Sequence, residues 1–383
     1  RPARSAVAGS GMTRQTRFKV VAVVASTAAA LALLGVGLAA FLDTAKTTEQ
    51  PVPPVITQSK VVQEVFGGTA FEALMRHVSQ DQFSTVWDFD QQIAMSRSAF
   101  LETEMFGTER FRYKPNIHVA NLHLWTGVSK QRLILGVTPE SEALLAKMAK
   151  DVIHRADFET DGHGFKQTEF EPEAGATVFF LGDSFAEGLW VSPKETFVNL
   201  YGRRLRADRV PLVPVNLGIN GFSVLEMRWM LETHAPSLRP TAAVFNLYPN
   251  DVGADYTQAI TEPEGLRAEF AALFDELGKA KAYCEARGIR MLLALVPGQA
   301  QLAAEFRQDN PVFDAFQRRV AAWADKEAVP CFDALAYLHG VGTKEVFLSW
   351  DGHFSPKGHG HYADFLYDAT KALMAKLAPP PPG

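Results

Sequence analysis

Cysteine is nearly missing from this 383-residue chain, with only Cys284 and Cys331 present. That excludes a disulfide framework and a cysteine-rich metal site. One bridge between the two stays open, although both sit in runs that read as ordinary core. A basic surplus is lacking too. The 38 Lys and Arg stand against 43 Asp and Glu, a formal net charge of −5. Beyond the N-terminus the cations form no stripe, so the electrostatic footprint of a nucleic-acid binder is missing. No internal repeat is visible. Charge itself is absent from one long stretch, and that absence is informative.

Val20 to Leu42, "VVAVVASTAAALALLGVGLAAFL", runs 23 residues without a charge. As a helix it would be about 35 Å long, enough for a bilayer core of roughly 30 Å. Arg1, Arg4, Arg14, Arg17 and Lys19 precede it, and Asp43 and Glu49 follow. By the positive-inside rule, residues 1–19 form a cytoplasmic tail and everything past Leu42 is exported. Gly37 and Ala39 would make a weak signal-peptide cleavage site, but the apolar run exceeds a usual signal core, which favours a single-pass transmembrane helix over 20–42. Met12 opens "MTRQTRFK", a normal basic lead-in, which points to residues 1–11 lying upstream of the start.

Residues 43–60 read as a linker, with the proline-rich "TEQPVPPV" favouring extended chain. Residues 61–155 show weak patterning and are expected to form a helical or irregular cap or docking region. Helices are expected there over Phe71–Val78 and Pro139–Val152, the second with Thr138 as N-cap and Pro139 in the first turn.

From Gly175 the pattern changes. Apolar runs at Thr177–Leu181, Leu212–Leu217, Ala242–Leu247, Arg290–Val296 and Val329–Phe332 alternate with helical stretches at Thr196–Ala207, Val224–His234, Gly265–Arg287 and Val312–Glu327. A last helix is expected from Lys357 to Leu377, and residues 378–383 form a proline-rich tail expected to be disordered. Short continuous apolar strands between amphipathic helices predict an α/β fold with a five-stranded parallel sheet covered on both faces, over 156–377. Ligands of such sheets sit beyond the carboxyl ends of the strands.

Chemistry-bearing residues recur at those ends. "TVFFLGDSFAEG" stops its apolar run at Gly182-Asp183-Ser184, where the serine could be a nucleophile or only part of a polar turn. "NLGINGFS" follows the second strand and offers the backbone N–H of Gly221. "NLYPNDV" follows the third and offers the amide of Asn250. "SWDGHFSPKGH" follows the last strand and sets His353 as candidate base two residues after Asp351, which could fix its tautomer. Asp161-Gly162-His163 repeats the tripeptide ahead of the first strand and reads as a turn. His359 and His361 are expected on an exposed or half-buried face of the last helix. No third ligand accompanies His353, so no metal and no cofactor is expected. Trp190, Trp229 and Trp323 read as packing residues, and Asp333 as a cap.

Over about residues 155–375, these blocks in this order resemble the SGNH, or GDSL, hydrolase family. The lead-in "FETDGHGF" is similar to that of envelope-anchored bacterial members. The resemblance implies a three-layer α/β/α flavodoxin-like domain and a serine esterase. Ser184 would be nucleophile and one oxyanion N–H, Gly221 and Asn250 the further donors, His353 the base and Asp351 its orienting acid. It implies acylated envelope glycans or lipids as substrates, and a bacterial inner-membrane protein with its main domain in the periplasm. Two departures stand out. Tyr248-Pro249-Asn250-Asp251 replaces the family's Gly-x-Asn-Asp, and Asp351-x-His353 is one residue shorter than its Asp-x-x-His. Two other readings stay open. The same residues could transfer acetyl groups to a sugar. Alternatively, the fold could serve as a non-catalytic subunit of a membrane complex, with Ala28–Ala30, Gly35 and Gly37 letting the anchor pack closely against other helices.

Overall fold

Runs such as Val178-Phe179-Phe180-Leu181, apolar at every position, cannot leave either face in water, and they form the centre of a parallel sheet. A computed structural model describes residues 85–88, 93–96, 101–103, 111–125, 130–147, 149, 152–172, 175–252, 263–303 and 314–378. The apolar run Val20–Leu42, the tail and linker flanking it, the helix expected over Phe71–Val78 and residues 379–383 lie outside these. Among the described residues no helix is long and apolar enough to cross a membrane.

The strands are β1 (Thr85–Asp88), β2 (Ile93–Ser96), β3 (Leu101–Thr103), β4 (Phe111–Tyr113), β5 (His118–Trp125), β6 (Lys130–Gly136), β7 (Val152–Glu159), β8 (Ala176–Gly182), β9 (Leu212–Asn216), β10 (Ala242–Leu247), β11 (Arg290–Leu295) and β12 (Cys331–Asp333). The helices used below are α1 (Pro139–Lys147), α2 (Ser184–Glu187), α3 (Phe197–Ala207), α4 (Val224–Leu238), α5 (Arg267–Glu285), α6 (Ala315–Lys326) and α7 (Pro356–Leu377).

The main sheet has the order β12-β11-β10-β8-β9, with every pair parallel. Alternate residues of β8 enter opposite layers. Phe179 and Leu181 join α4, α5 and α6 on one face, while Val178 and Phe180 join α3 and α7 on the other. This is the expected α/β/α sandwich. Chain order reverses between β8 and β10, because β9 was laid on the far side of β8. That gap is the topological switch point, and Ser184 directly follows β8.

Residues 61–155, expected to be helical or irregular, contribute strands as well as the helix expected from Pro139 where they are described. An antiparallel sheet of order β2-β1-β6-β5-β7 forms from them, beside a β3–β4 pair. Strand β7 runs across the boundary expected at 155/156, and α1 ends at Lys147 rather than continuing to Val152. The sheet escaped the pattern because its central strands β5 and β6 are buried on both faces. Val119, Ile134 and Phe158 enter the same apolar cluster as β8 and β10, while Ala120, Leu122, Leu133 and Leu135 pack with Leu145 of α1. A strand covered on both sides loses the two-residue alternation that marks a half-buried one. Both cysteines are free.

Candidate active site

Ser184 is placed by local constraints in "GDSFAEG". A Cβ on Gly182 would lie 2.6 Å from the Cβ of Ala186, so only glycine lets β8 turn this sharply into α2. Asp183 then caps α2, its Oδ1 accepting from the Phe185 N–H at 2.9 Å. Gly188 ends the turn at φ 77°, in the left-handed region. Ser184 is buried at 6% exposure, with its hydroxyl turned to the loop before α7.

That loop carries the base. Ser184 Oγ lies 2.7 Å from His353 Nε2, and His353 Nδ1 is hydrogen-bonded to Asp351 Oδ1. The same Oδ1 accepts from the backbone N–H of His353 at 2.9 Å. The shortened Asp-x-His spacing thus closes into a tight turn in which one oxygen serves both donors. Burial would raise the pKa of Asp351, but the hydrogen bonds from His353 and Trp190 outweigh it and hold the carboxyl below its usual value. An ionised Asp351 can only accept, so Nδ1 carries the proton and Nε2 offers its lone pair to Ser184. The hydroxyl, the imidazole and the carboxylate form one continuous line.

The candidate oxyanion donors occupy the ends of neighbouring strands. Gly221 lies exposed between β9 and α4 at φ 82°. Asn250 is exposed in a short 3-10 turn after β10, its amide beside the Asp183 carboxylate. The β9–α4 loop is tied to the nucleophile's helix. Glu187 Oε2 accepts from the Asn220 N–H at 2.5 Å, and a Cβ on Gly218 would meet the Glu187 N at 2.3 Å. Tyr248, where the family has glycine, stacks on Phe185 with ring centroids 4.4 Å apart, and Phe185 lies 5.0 Å from the His353 ring. Pro249 is buried and opens the turn.

Two buried carboxyls lie under the site. Burial pushes Asp183 up to about 6, and burial plus the Asp183 charge raises Asp251 well above its usual value. Lys166 is fully buried, donating to the carbonyls of Val191 at 3.2 Å and Gly188 at 3.5 Å. Desolvation lowers it to about 8 against the opposing pull of Glu187, Glu159 and Asp157.

The other expectations divide. Asp161 Oδ1 accepts from His163 N and Phe165 N, so the earlier Asp-Gly-His is a turn. Asp333 Oδ1 caps the Leu335 N–H at 2.9 Å. His361 is half-buried, but His359 is not on an exposed face. It is fully buried, with Nδ1 accepting from Phe197 N at 3.2 Å, and burial drops its pKa to about 3. Trp229 and Trp323 pack on the core. Trp190 does more, because its indole N–H donates to Asp351 Oδ2 at 3.2 Å. Neither Trp190 nor Lys166 stands out from its neighbours in the sequence as a site residue. Among the described residues one group, His118, Asp157 and Glu159 on the antiparallel sheet, has ligand-type atoms within 4.8 Å of one another. Asp157 is already ion-paired with Arg155, and His118 Nε2 lies 3.7 Å from Glu159 Oε1.

Comparisons with known proteins bear on the same segment. Residues 180–361 match the GDSL-like lipase/acylhydrolase family. The chain is similar to the crystal structure of TesA, at 21% identity over 51% of this chain and 99% of that one, with a TM-score of 0.41. It is similar to a catalytic mutant of an acetylxylan esterase from Geobacillus stearothermophilus, at 18% identity over 51% and 94%, with a TM-score of 0.40. An α/β hydrolase enzyme from the metagenome of Lake Arreo gives 20% identity over 52% and 97%, with a TM-score of 0.40. No curated protein matches the chain in sequence.

Proposed function

Since the domain spanning residues 180–361 belongs to the GDSL-like lipase/acylhydrolase family, we propose that this chain is a serine esterase acting through an acyl-enzyme. The observation that carries the reading is the 2.7 Å contact between Ser184 Oγ and His353 Nε2, with Asp351 on the far side of the imidazole. Oγ attacks the ester carbonyl carbon while Nε2 takes its proton, and the carbonyl electron pair moves onto oxygen. The N–H groups of Ser184 and Gly221 and the amide of Asn250 receive that oxyanion. Its collapse breaks the bond to the alcohol, which leaves with the proton from Nε2. Water then repeats the sequence on the acyl-enzyme and frees the acid.

The stacked Tyr248 and Phe185 beside His353 favour a short acyl group such as acetyl, carried on an envelope glycan or lipid. The uncharged run Val20–Leu42 supports a single-pass anchor in a bacterial inner membrane, with the catalytic domain outside the cytoplasm. The test is a fluorophosphonate read by intact mass, beside p-nitrophenyl esters of increasing acyl length. One adduct per chain, lost in Ser184→Ala, and a rate falling steeply beyond short acyl groups are expected. Folded protein that takes no adduct would overturn the esterase reading.

A further inference from the structure

Trp190 has a backbone that its side chain does not favour. Its φ is 68°, in the left-handed region where a bulky residue costs of the order of 1–3 kcal/mol. A tryptophan that only filled space would have no need of it. What this backbone does is turn the two polar groups of one residue in useful directions. The Trp190 carbonyl meets the ring of His154 on β7, with Nε2 2.6 Å from the oxygen. Because a carbonyl only accepts, His154 Nε2 carries the proton. The indole N–H, at the other end, donates to Asp351 Oδ2 at 3.2 Å. Trp190 itself is buried at 4% exposure.

We infer that Trp190 and His154 are positioning residues for the Asp351–His353 pair, so that the antiparallel sheet forms part of the catalytic apparatus. The inference rests on the esterase reading above for its kinetic consequences. One line of hydrogen bonds runs from β7 through His154, the Trp190 carbonyl, the Trp190 indole, Asp351 and His353 to Ser184. It divides the labour of the carboxylate. Oδ1 is occupied by the two donors of His353, and Oδ2 is held by Trp190, so the carboxylate cannot rotate without losing a partner. Trp350, next to Asp351 in the chain, packs against the same cluster. Its ring lies 4.3 Å from His123, 5.1 Å from Trp190 and 5.3 Å from His154. Two of those three rings belong to the antiparallel sheet, and Leu189 and Leu348 close the cluster.

The test compares Trp190→Phe, which keeps a ring but removes the N–H, with His154→Phe and His154→Gln. The first His154 variant deletes the donor to the Trp190 carbonyl, and the second can replace it. Two readouts are taken on each full-length protein. One is kcat and KM for p-nitrophenyl acetate. The other is the far-downfield proton resonance of the His353–Asp351 hydrogen bond, which needs no turnover. We expect Trp190→Phe to lower kcat roughly 5- to 30-fold with KM within about twofold, and to shift or broaden the resonance. His154→Phe should lower kcat roughly 3- to 10-fold, and His154→Gln should restore most of it. Wild-type kcat and an unmoved resonance in both Trp190→Phe and His154→Phe would overturn the inference while leaving the esterase reading intact. A wild type with no Ser184-dependent adduct whose resonance still moves in the variants would sink the esterase reading and leave the positioning role standing. If Trp190→Phe does not fold, the difference between the two His154 variants decides.

Discussion

Replacing Asp351 by asparagine sets the two sides of the carboxylate against each other. In wild type both oxygens accept, Oδ1 from His353 and Oδ2 from Trp190. An asparagine has one oxygen to offer. If the oxygen stays toward His353, the correct tautomer survives but the amide NH₂ faces the Trp190 N–H, donor against donor. If the amide flips, the NH₂ faces two donors on His353, and Nδ1 can be accommodated only by moving its proton to Nε2, where the imidazole can no longer accept from Ser184. The first arrangement opposes one donor rather than two and should prevail. Its cost is the charge on the His353 hydrogen bond, about 1–2 kcal/mol, plus one opposed buried donor, about 1–3 kcal/mol. Together these lower kcat roughly 30- to 5,000-fold.

The second variant separates the two costs. Trp190→Phe alone removes one donor to the carboxylate, about 1–2 kcal/mol, or roughly 5- to 30-fold. In the double variant the opposed donor is gone, so the second substitution repairs part of the first. Asp351→Asn/Trp190→Phe should turn over p-nitrophenyl acetate at least about fivefold faster than Asp351→Asn alone; added to the cost of Trp190→Phe by itself, that is at least about 2 kcal/mol of coupling. Rates of fluorophosphonate inactivation read by intact mass give the same comparison free of deacylation. If the double variant loses the product of the two single effects, to within about twofold, the carboxylate is not divided between His353 and Trp190 and the reasoning fails.

Asn250→Ala removes one oxyanion donor and should cut kcat by roughly 10²–10³ with little change in KM; a loss under about threefold would remove Asn250 from that role. Asp251→Asn should alter stability with a definite sign. Burial keeps Asp183 protonated up to about pH 6 in the folded chain and, with the Asp183 charge, moves Asp251 upward as well, whereas the unfolded carboxyls ionise near pH 4. The unfolded chain therefore binds fewer protons from about pH 4 upward, and stability declines as pH rises through that window. Asp251→Asn should flatten the decline and raise Tm near pH 7, with an unchanged slope counting against it. Lys166 runs the other way. Its folded value of about 8 lies below the ordinary 10.5, so the folded chain gives up its proton first and wild type gains stability between those limits. Differential scanning calorimetry on Lys166→Met should show that gain lost.

The parts of the site that the sequence displayed are those whose function depends on a few adjacent residues. Gly182, Asp183 and Gly188 around Ser184 are required, respectively, by a close approach, a cap and a left-handed φ. Asp351 and His353 are likewise close enough to share one oxygen without help from elsewhere. The parallel sheet showed itself for the same reason, since β8 and β10 are apolar along almost their whole length. His359 misled because the start of α7 resembles an exposed turn. In the structure Gly358 is pressed against the Val346 carbonyl, where a Cβ would come within 1.9 Å, and the following histidine is carried inward.

Trp190 was hidden for two separate physical reasons. A left-handed backbone is ordinarily announced by glycine or asparagine, whose side chains tolerate it. A tryptophan at φ 68° carries no such signal, because the conformation is imposed by the contacts at its two ends rather than by its own preference. Those contacts are remote, 36 residues back to His154 and 161 forward to Asp351. The strand that supplies His154 carried little signal of its own, since only Ala156 and Phe158 of its eight residues are buried while Ile153 and Arg155 are exposed. Antiparallel pairing with β5, which sets His154 opposite His123, holds β7 where its histidine can restrain Trp190.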